Sequence, residues 1–270
     1  MLSNITIGQY FPGTSPVHKL DPRTKIVLTV AFLVCIFLAK KFACFAVIAL
    51  FVLGCCFLSR INLKFLVRGL KPIAIIVIFT FLLNLFLGTG TDVIWKWKFL
   101  TITESSYKNA LFMAVRLILL VCGSQLLTLT TSPIALTDGL ESLMKPLTKI
   151  GFPGHELAMM MSIALRFIPT LIEETERIMS AQKARGADFE TGGLMKRAKA
   201  LLPLLVPLFV SAFKRADELA MAMEARCYRG GEGRTKMKPL KFAWRDLVAA
   251  LVFGCLIAGV VLINKTAVLL

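Results

Sequence analysis

The stretch FACFAVIALFVLGCCFL, residues 42–58, decides the fold class, because it carries no charged side chain on any face. A helix that is apolar all round is buried in a large core or in a membrane. Four further apolar runs lie at Ile26–Ala39, Pro72–Leu87, about Ala110–Leu129 and Leu247–Ile263. The chain is 57% hydrophobic, above the roughly 45–50% of soluble domains. The sequence therefore predicts an all-α, polytopic membrane protein with about five transmembrane helices.

Basic residues set the predicted orientation, since Lys and Arg accumulate in cytoplasmic loops. The densest early cluster comprises Arg60, Lys64, Arg68 and Lys71. A cytoplasmic position for this loop places the N-terminus inside and the Trp95–Trp97 loop outside. The C-terminus then lies outside, and Lys40 and Lys41 fall on the outer side, against the rule. The net charge of +16 follows from these loops and does not indicate nucleic-acid binding, because no recognition module accompanies it.

Three domains follow from this topology. Residues 1–131 form an N-terminal membrane region with four transmembrane helices, and residues 246–270 form a C-terminal transmembrane helix. Residues 132–245 between them form a helical cytoplasmic domain of long crossing helices. Its predicted elements are a helix over Glu156–Arg185 that contains Pro169, a helix over Leu194–Phe213, and a separate stretch over Lys214–Arg226.

A short phrase occurs twice in this cytoplasmic domain, as AQKARG at residues 181–186 and as AMEARC at residues 222–227. Each copy ends a stretch in which acidic residues precede basic ones, the order that the helix dipole favours. Gly186 is placed to stop the first helix in a left-handed conformation. An arginine at a helix end can donate several hydrogen bonds to one partner. The repeat therefore predicts two equivalent docking sites rather than two unrelated surface helices.

Catalytic and metal-binding motifs are missing from the sequence. No phosphate-binding GxxxxGK[ST] loop occurs, and His18 and His155 have no companions at metal-ligand spacing. The seven cysteines are odd in number, form no CxxC pair and, apart from Cys227, lie in apolar runs, which is typical of buried hydrophobic residues. No catalytic residue, cofactor or metal is expected. Arg116, inside the fourth span, has three open interpretations: a transport role, snorkelling to the outer interface, or a bond to backbone within the bundle.

These residues resemble a known family, the transmembrane T component of energy-coupling factor (ECF) transporters, which includes the cobalt-transport Q-type proteins. The resemblance covers nearly the whole chain. It rests on Leu20–Lys25 (LDPRTK), on Ala164–Thr170 (ALRFIPT) and on the two Ala-Arg motifs.

The resemblance implies a multi-pass subunit in the cell membrane that joins two cytoplasmic ATPases to a membrane-embedded, substrate-binding S component. The first ATPase-docking motif would be Ala184, Arg185 and Gly186. The second would be Ala225, Arg226, Arg229 and Gly230, with Cys227 in place of the glycine and Tyr228–Gly230 as an alternative helix cap. The apolar surface expected to face the S component includes Met159, Met160, Met161, Leu204, Leu205 and Leu208. Vitamins or other micronutrients are the expected cargo, and nucleic acid is not an expected partner.

Three alternatives stay open at this point. A permease with its own substrate path predicts polar residues in several spans, where few besides Arg116 and Gln125 occur. A membrane-embedded enzyme requires a catalytic group that the sequence does not contain. A membrane scaffold without a transport role differs from the first interpretation in not copurifying with ATPases.

Overall fold

A computed structural model of the chain describes residues 10–87, 93–97, 100–189, 193–230 and 239–266. The elements in chain order are α1 (Pro22–Leu38), α2 (Phe42–Ser59), α3 (Leu63–Leu87), β1 (Val93–Trp97), β2 (Leu100–Thr103), α4 (Glu104–Thr130), α5 (Pro133–Met144), a 3-10 turn (Lys145–Ile150), α6 (Gly154–Ala184), α7 (Leu194–Ala225) and α8 (Trp244–Lys265). The all-α prediction is confirmed for the described chain, apart from one hairpin. In that hairpin β1, which lies in the tryptophan loop predicted over residues 88–98, pairs antiparallel with β2, which follows the loop. Residues 88–92 and 98 of the loop lie outside the described residues.

The described chain divides into two compact units. The first, called the bundle unit below, takes in Gly8–Leu140 and Leu240–Leu270, so it unites α8 with the helices of the N-terminal half. The second, called the two-helix unit, takes in Glu141–Pro239 and consists mainly of α6 and α7.

The core of the bundle unit forms where α4 packs on α1, α2 and α3 while α8 packs on α1 and α2. Its most buried side chains are mainly branched aliphatic, aromatic and cysteine residues: Phe32, Cys35, Ile36, Cys44, Phe45, Ile48, Val52, Cys56, Cys122, Phe253 and Val260. All seven cysteines are free thiols, and four of them belong to this core. The prediction that most cysteines serve as small buried hydrophobes is confirmed for those four, whereas Cys255 is exposed.

One close helix contact explains a glycine in this core. A Cβ atom on Gly123 in α4 would lie 2.0 Å from the Cε1 atom of Phe32 in α1. The absence of a side chain at position 123 therefore lets the Phe32 ring fill the space between the two helices.

Five described helices are long and apolar enough to cross a membrane, namely α2, α3, α4, α6 and α8. Four of them coincide with predicted spans. The predicted first span corresponds to α1, whose 17 residues fall short of the roughly 20 that a bilayer core requires. Helix α6, which the sequence analysis places in the cytoplasm, is the least apolar of the five. Both placements remain predictions.

The two-helix unit corrects one boundary of the sequence analysis. Leu194–Phe213 and Lys214–Arg226, predicted as separate stretches, form the single helix α7 of 32 residues. Pro203 and Pro207 lie inside it, just as Pro169 lies inside α6. A proline removes one backbone hydrogen bond and strains the preceding turn, so packing of α7 against α6 offsets an intrinsic penalty.

Candidate docking site

Helix α6 ends in a Schellman motif at the first copy of the repeat. Arg185 is the C-cap residue, and Gly186 follows with a φ of 86°. The N–H of Gly186 donates to the carbonyl of Lys183 at 3.0 Å, and the N–H of Ala187 donates to that of Gln182 at 3.0 Å. These two bonds satisfy carbonyls that the helix end would otherwise leave unpaired.

Helix α7 ends in the same motif at the second copy. Arg226 is its C-cap, and Cys227 follows with a φ of 54°. The N–H of Cys227 donates to the carbonyl of Glu224 at 2.8 Å, and the N–H of Tyr228 donates to that of Met223 at 3.0 Å. The two ends thus share the same pair of hydrogen bonds and the same residue order.

Cys227 does not abolish the equivalence of the two ends. In the predicted alternative, Tyr228–Gly230 replace Cys227 as the helix cap. The structure differs, because Cys227 itself takes the left-handed conformation that Gly186 has at the first end. Tyr228 contributes only the second hydrogen bond of the motif, and Gly230, with a φ of 87°, makes a further turn beyond it. A non-glycine residue in this conformation costs about 1–2 kcal/mol, so the geometry of the second site is retained under strain.

Both capping arginines are available to a partner. Arg185 and Arg226 are exposed, and neither forms an ion pair within the part of the chain that the structure describes. Ala184 and Ala225, just before them, are exposed as well, and so is Arg229. Each helix therefore presents a small alanine surface next to a guanidinium that pairs with no carboxylate of the described residues.

The two helices are joined upstream of these ends by a salt bridge. Nη2 of Arg215 in α7 lies 3.5 Å from Oε2 of Glu174 in α6, and both side chains are about one-third exposed. Beside the α7 end, Nδ1 of His155 lies 2.9 Å from Oε1 of Glu141, and the Tyr228 hydroxyl lies 3.5 Å from Nε2 of His155. His155, near the start of α6, thus connects α6 to the residues that follow the α7 cap.

The predicted apolar contact surface is only partly exposed. Met160, Met161 and Leu205 are exposed, Met159 and Leu208 are half-buried, and Leu204 is only 3% exposed. Leu204 is therefore a packing residue and presents little surface to a partner. A continuous exposed apolar face on α7 is formed by Leu202, Leu205, Val206, Phe209 and Phe213, which recur at the spacing of one helix face.

The motif Leu20–Lys25 builds a polar cluster in the bundle unit. Asp21 caps α1, accepting a hydrogen bond from the N–H of Arg23 at 2.9 Å, and Pro22 follows at the first helical position. The N–H of Asp21 donates to Oδ1 of Asp246 at 2.8 Å. The Lys25 ammonium donates to the carbonyls of His18 and Thr130, at 3.1 and 2.9 Å. The cluster fastens the start of α1 to the start of α8 and the end of α4.

Asp246 is a residue of this cluster whose structural role was not predicted from the sequence. It is buried, and its Oδ2 atom also accepts a hydrogen bond from the N–H of Ala243 at 2.8 Å. The available signal was that Asp246 is the only acidic residue after position 232. Its partner Asp21 lies 225 positions away, so no local pattern pairs them. Nearby, burial lowers the pKa of His18, which keeps its imidazole mainly neutral at pH 7.

Arg116 has a structural role in the described chain. Its Nη2 atom donates to the carbonyl of Ala39, the C-cap residue of α1, at 3.1 Å. The guanidinium carbon lies 4.8 Å from the Phe112 ring centroid and 5.7 Å from that of Phe37, within the range of a cation–π interaction. Of the three interpretations, a bond to backbone within the bundle is the one that the structure shows. No group of His, Cys, Asp or Glu among the described residues could hold a metal ion.

The sequence of the chain is similar to that of a known protein family. Residues 13–237 match the model of the family CbiQ, described as cobalt transport protein. The chain belongs to this family. Among curated relatives, the energy-coupling factor transporter transmembrane protein EcfT of Thermosediminibacter oceani is 57% identical over 258 residues, which cover 96% of this chain and 97% of the relative. The EcfT of Bacillus subtilis is 50% identical over 260 residues, covering 95% of this chain and 98% of the relative.

The match to the CbiQ family takes in Leu20–Lys25 and both Ala-Arg motifs, so it includes residues of both compact units, while Asp246 lies beyond it. The predicted resemblance to the T component is thereby confirmed. The chain is a multi-pass membrane protein of this family.

Proposed function

We propose that the chain is the energy-coupling transmembrane subunit of an ECF-type importer, a non-catalytic part that carries motion from two ATPases to an S component. The observation that carries the proposal is the pair of Schellman ends with the same hydrogen-bond pattern, each with an exposed arginine at the C-cap. Two equal sites suit a partner that itself has two equivalent subunits. The names of the EcfT relatives point to the same transporter class.

In this proposal the ATPase pair binds the two helix ends from the cytoplasm. The second half of α6 contains Glu173, Glu174, Glu176, Arg177 and Lys183. Charged residues at this density are costly in a bilayer core, which supports a cytoplasmic place for this half. The basic segment Arg60–Lys71, predicted as a loop but forming mostly the start of α3, and the N-terminus would face the same side.

The exposed face of α7, Leu202 to Phe213, is the proposed contact for the S component. Its residues are apolar and without cover in the described chain, and methionine side chains on α6 add an adaptable surface. The cargo in the proposal is a vitamin or other micronutrient, bound by the S component and not by this subunit. The hydrogen bond of Arg116 to the Ala39 carbonyl supports the coupling role over an independent substrate path, which would depend mainly on this residue.

The docking part is tested by Arg185→Ala, Arg226→Ala and the double variant in the full transporter. Loss of a charge-assisted contact worth about 1.5–3 kcal/mol weakens ATPase copurification roughly tenfold or more at each site, and substrate uptake falls with it. Arg177→Ala on α6 and Lys214→Ala on α7 are matched controls, since both are exposed cations away from the ends. Unchanged assembly and uptake in the double variant would contradict the proposal.

The contact with the S component is tested separately. Leu205→Ser and Phe209→Ser are expected to lower S-component copurification while the ATPases stay bound. Lys214→Ser, on the same helix outside the apolar face, serves as the control. Loss of ATPases and S component together would indicate a folding defect, and retention of the S component in both variants would contradict this surface.

A further inference from the structure

A cavity of about 350 Å³ opens in one half of the bundle unit. It is bounded by the first half of α1, the second halves of α2 and α4, and the first half of α8. Its floor includes Phe32, Val52 and Phe253, which belong to the core. Helices α2 and α8 touch at the opposite end, where the Cys44 thiol donates to Oδ1 of Asn264, so the cavity lies where the two helices diverge.

The cavity opens sideways, between α2 and α8. Three residues that line it on these helices are exposed in the chain: Leu58 by 58%, Val248 by 42% and Val252 by 52%. Helices α2 and α8 are long and apolar enough to cross a membrane. An opening on their outer flank therefore faces the acyl chains of surrounding lipid.

The walls of the cavity suit hydrocarbon. The few polar residues in the lining make hydrogen bonds elsewhere: the Lys25 ammonium binds the carbonyls of His18 and Thr130, and the Thr29 hydroxyl donates to the carbonyl of Lys25. These bonds occupy the Thr29 hydroxyl and two of the three N–H groups of the Lys25 ammonium. The lined part of α8, from Trp244 to Phe253, spans about 14 Å at 1.5 Å per residue, close to the depth of one leaflet of a core about 30 Å thick.

The mouth of the cavity carries positive charge. Arg245 lines the cavity, is exposed and forms no ion pair in the described part of the chain. Its neighbour Asp246 is buried, and the Asp246 oxygens accept the backbone N–H groups of Asp21 and Ala243 and form no ion pair with Arg245 in the described part of the chain. Trp244, next to Arg245, is the kind of residue that lies at the membrane interface. Basic groups at the edge of a cavity between transmembrane helices are typical of sites for anionic lipid headgroups.

We propose that this cavity, lined by α1, α2, α4 and α8, binds one anionic glycerophospholipid. One acyl chain occupies the cavity down to Phe253, and the phosphate contacts Arg245. The site lies wholly within the bundle unit and does not depend on the proposed docking of ATPases. Its occupant would fill the gap between α1, α2 and α8 and so stabilise the unit.

The test uses the full chain in nanodiscs with Trp95→Phe and Trp97→Phe, which leaves Trp244 as its only tryptophan. Phosphatidylglycerol with brominated acyl chains, added at a few per cent to phosphatidylcholine, is expected to quench Trp244 fluorescence several-fold more than brominated phosphatidylcholine at the same level. Arg245→Gln removes this difference, whereas Lys241→Gln, an exposed cation outside the lining, preserves it.

A second pair of variants tests the cavity itself. Ala249→Phe fills the lined space and is expected to lower quenching by brominated phosphatidylglycerol to the phosphatidylcholine level. Leu251→Phe, exposed on the same helix but outside the lining, leaves quenching unchanged. Equal quenching by the two phospholipids in the parent overturns the proposal. Equal quenching by a brominated fatty acid, or no effect of Ala249→Phe, overturns it too.

Discussion

Glu174 and Arg215 stand at equivalent positions of the two long helices and contact each other at 3.5 Å. Glu174 precedes its capping arginine, Arg185, by eleven residues, and Arg215 precedes Arg226 by eleven. The helix from the salt bridge to either end is therefore about 16 Å long. The salt bridge marks a crossing point from which two arms of equal length extend to the candidate docking ends.

Reversal of one charge at this crossing is expected to weaken the two-helix unit. Glu174→Arg places two guanidinium groups together, and the free energy of unfolding falls by about 0.5–1 kcal/mol, as expected for a partly exposed pair. The double variant Glu174→Arg with Arg215→Glu restores most of it. Thermal unfolding in detergent measures the coupling energy of this double-mutant cycle. A swapped variant no more stable than the sum of its single variants would show that the pair contributes nothing.

Cys227→Gly is expected to stabilise the end of α7. Glycine adopts the left-handed conformation without the strain of about 1–2 kcal/mol that another side chain carries, so the N–H groups of residues 227 and 228 exchange with solvent roughly five- to thirtyfold more slowly when exchange follows local opening. Gly186→Ala is the mirror experiment on α6 and accelerates exchange at residues 186 and 187. Cys227→Ala keeps a Cβ and serves as the control. An equal gain from glycine and alanine would mean that backbone strain is not the cause.

Asp246→Asn is expected to destabilise the bundle unit. Asparagine has one acceptor oxygen, so one of the N–H groups of Asp21 and Ala243 loses its acceptor, the other keeps only a neutral acceptor, and the negative charge near buried Lys25 disappears. Loss of such a hydrogen bond to a charged group corresponds to about 1.5–3 kcal/mol. The measurement is the midpoint of thermal unfolding in detergent. Asp217→Asn, an exposed acid on α7, is the control, and equal midpoints for the two variants would contradict the assigned role.

Arg116→Lys separates an anchoring role from a transport role. Lysine keeps the charge but loses the planar contact with Phe112 and the reach to the Ala39 carbonyl, so stability falls by about 1–2 kcal/mol. Uptake per correctly assembled transporter stays near the parent level. Lys108→Arg, on the exposed surface of the same helix, is the control for exchanging one basic side chain for another away from this contact. Impaired uptake by a fully stable Arg116→Lys protein would restore the transport interpretation.

The sequence predicted the features that repeat at short range. The apolar runs of about 17 residues form helices as predicted. The predicted helix end at Arg185 lies one residue from the end of α6. Local periodicity and capping chemistry determine both features. The conformation of Cys227 was not predictable from its residue type, since cysteine seldom adopts a left-handed backbone and only the closing hydrogen bonds of the helix end require it. The continuity of α7 through Pro203 and Pro207 likewise depends on packing against α6.

The contacts that the sequence did not predict join residues that lie far apart along the chain. Asp246 meets Asp21, and Asn264 meets Leu38, across more than 220 positions. Neither pair lies in a recognisable spacing, because such contacts depend on how the finished helices assemble. Arg116 left three interpretations open for the same reason, since its acceptor, the Ala39 carbonyl, lies in another helix.

The double attachment of α8 to α1 has a consequence for biogenesis. Asp246 binds the N–H of Asp21 at one end, and the Asn264 amide donates to the Leu38 carbonyl at the other. Since the last helix of the chain completes both contacts with the first, the bundle unit cannot close until translation has passed Asn264. Until then, the N–H of Asp21 and the carbonyl of Leu38 lack their partners from α8. Truncation before α8 would leave a nascent chain that quality-control proteases can recognise as unfinished.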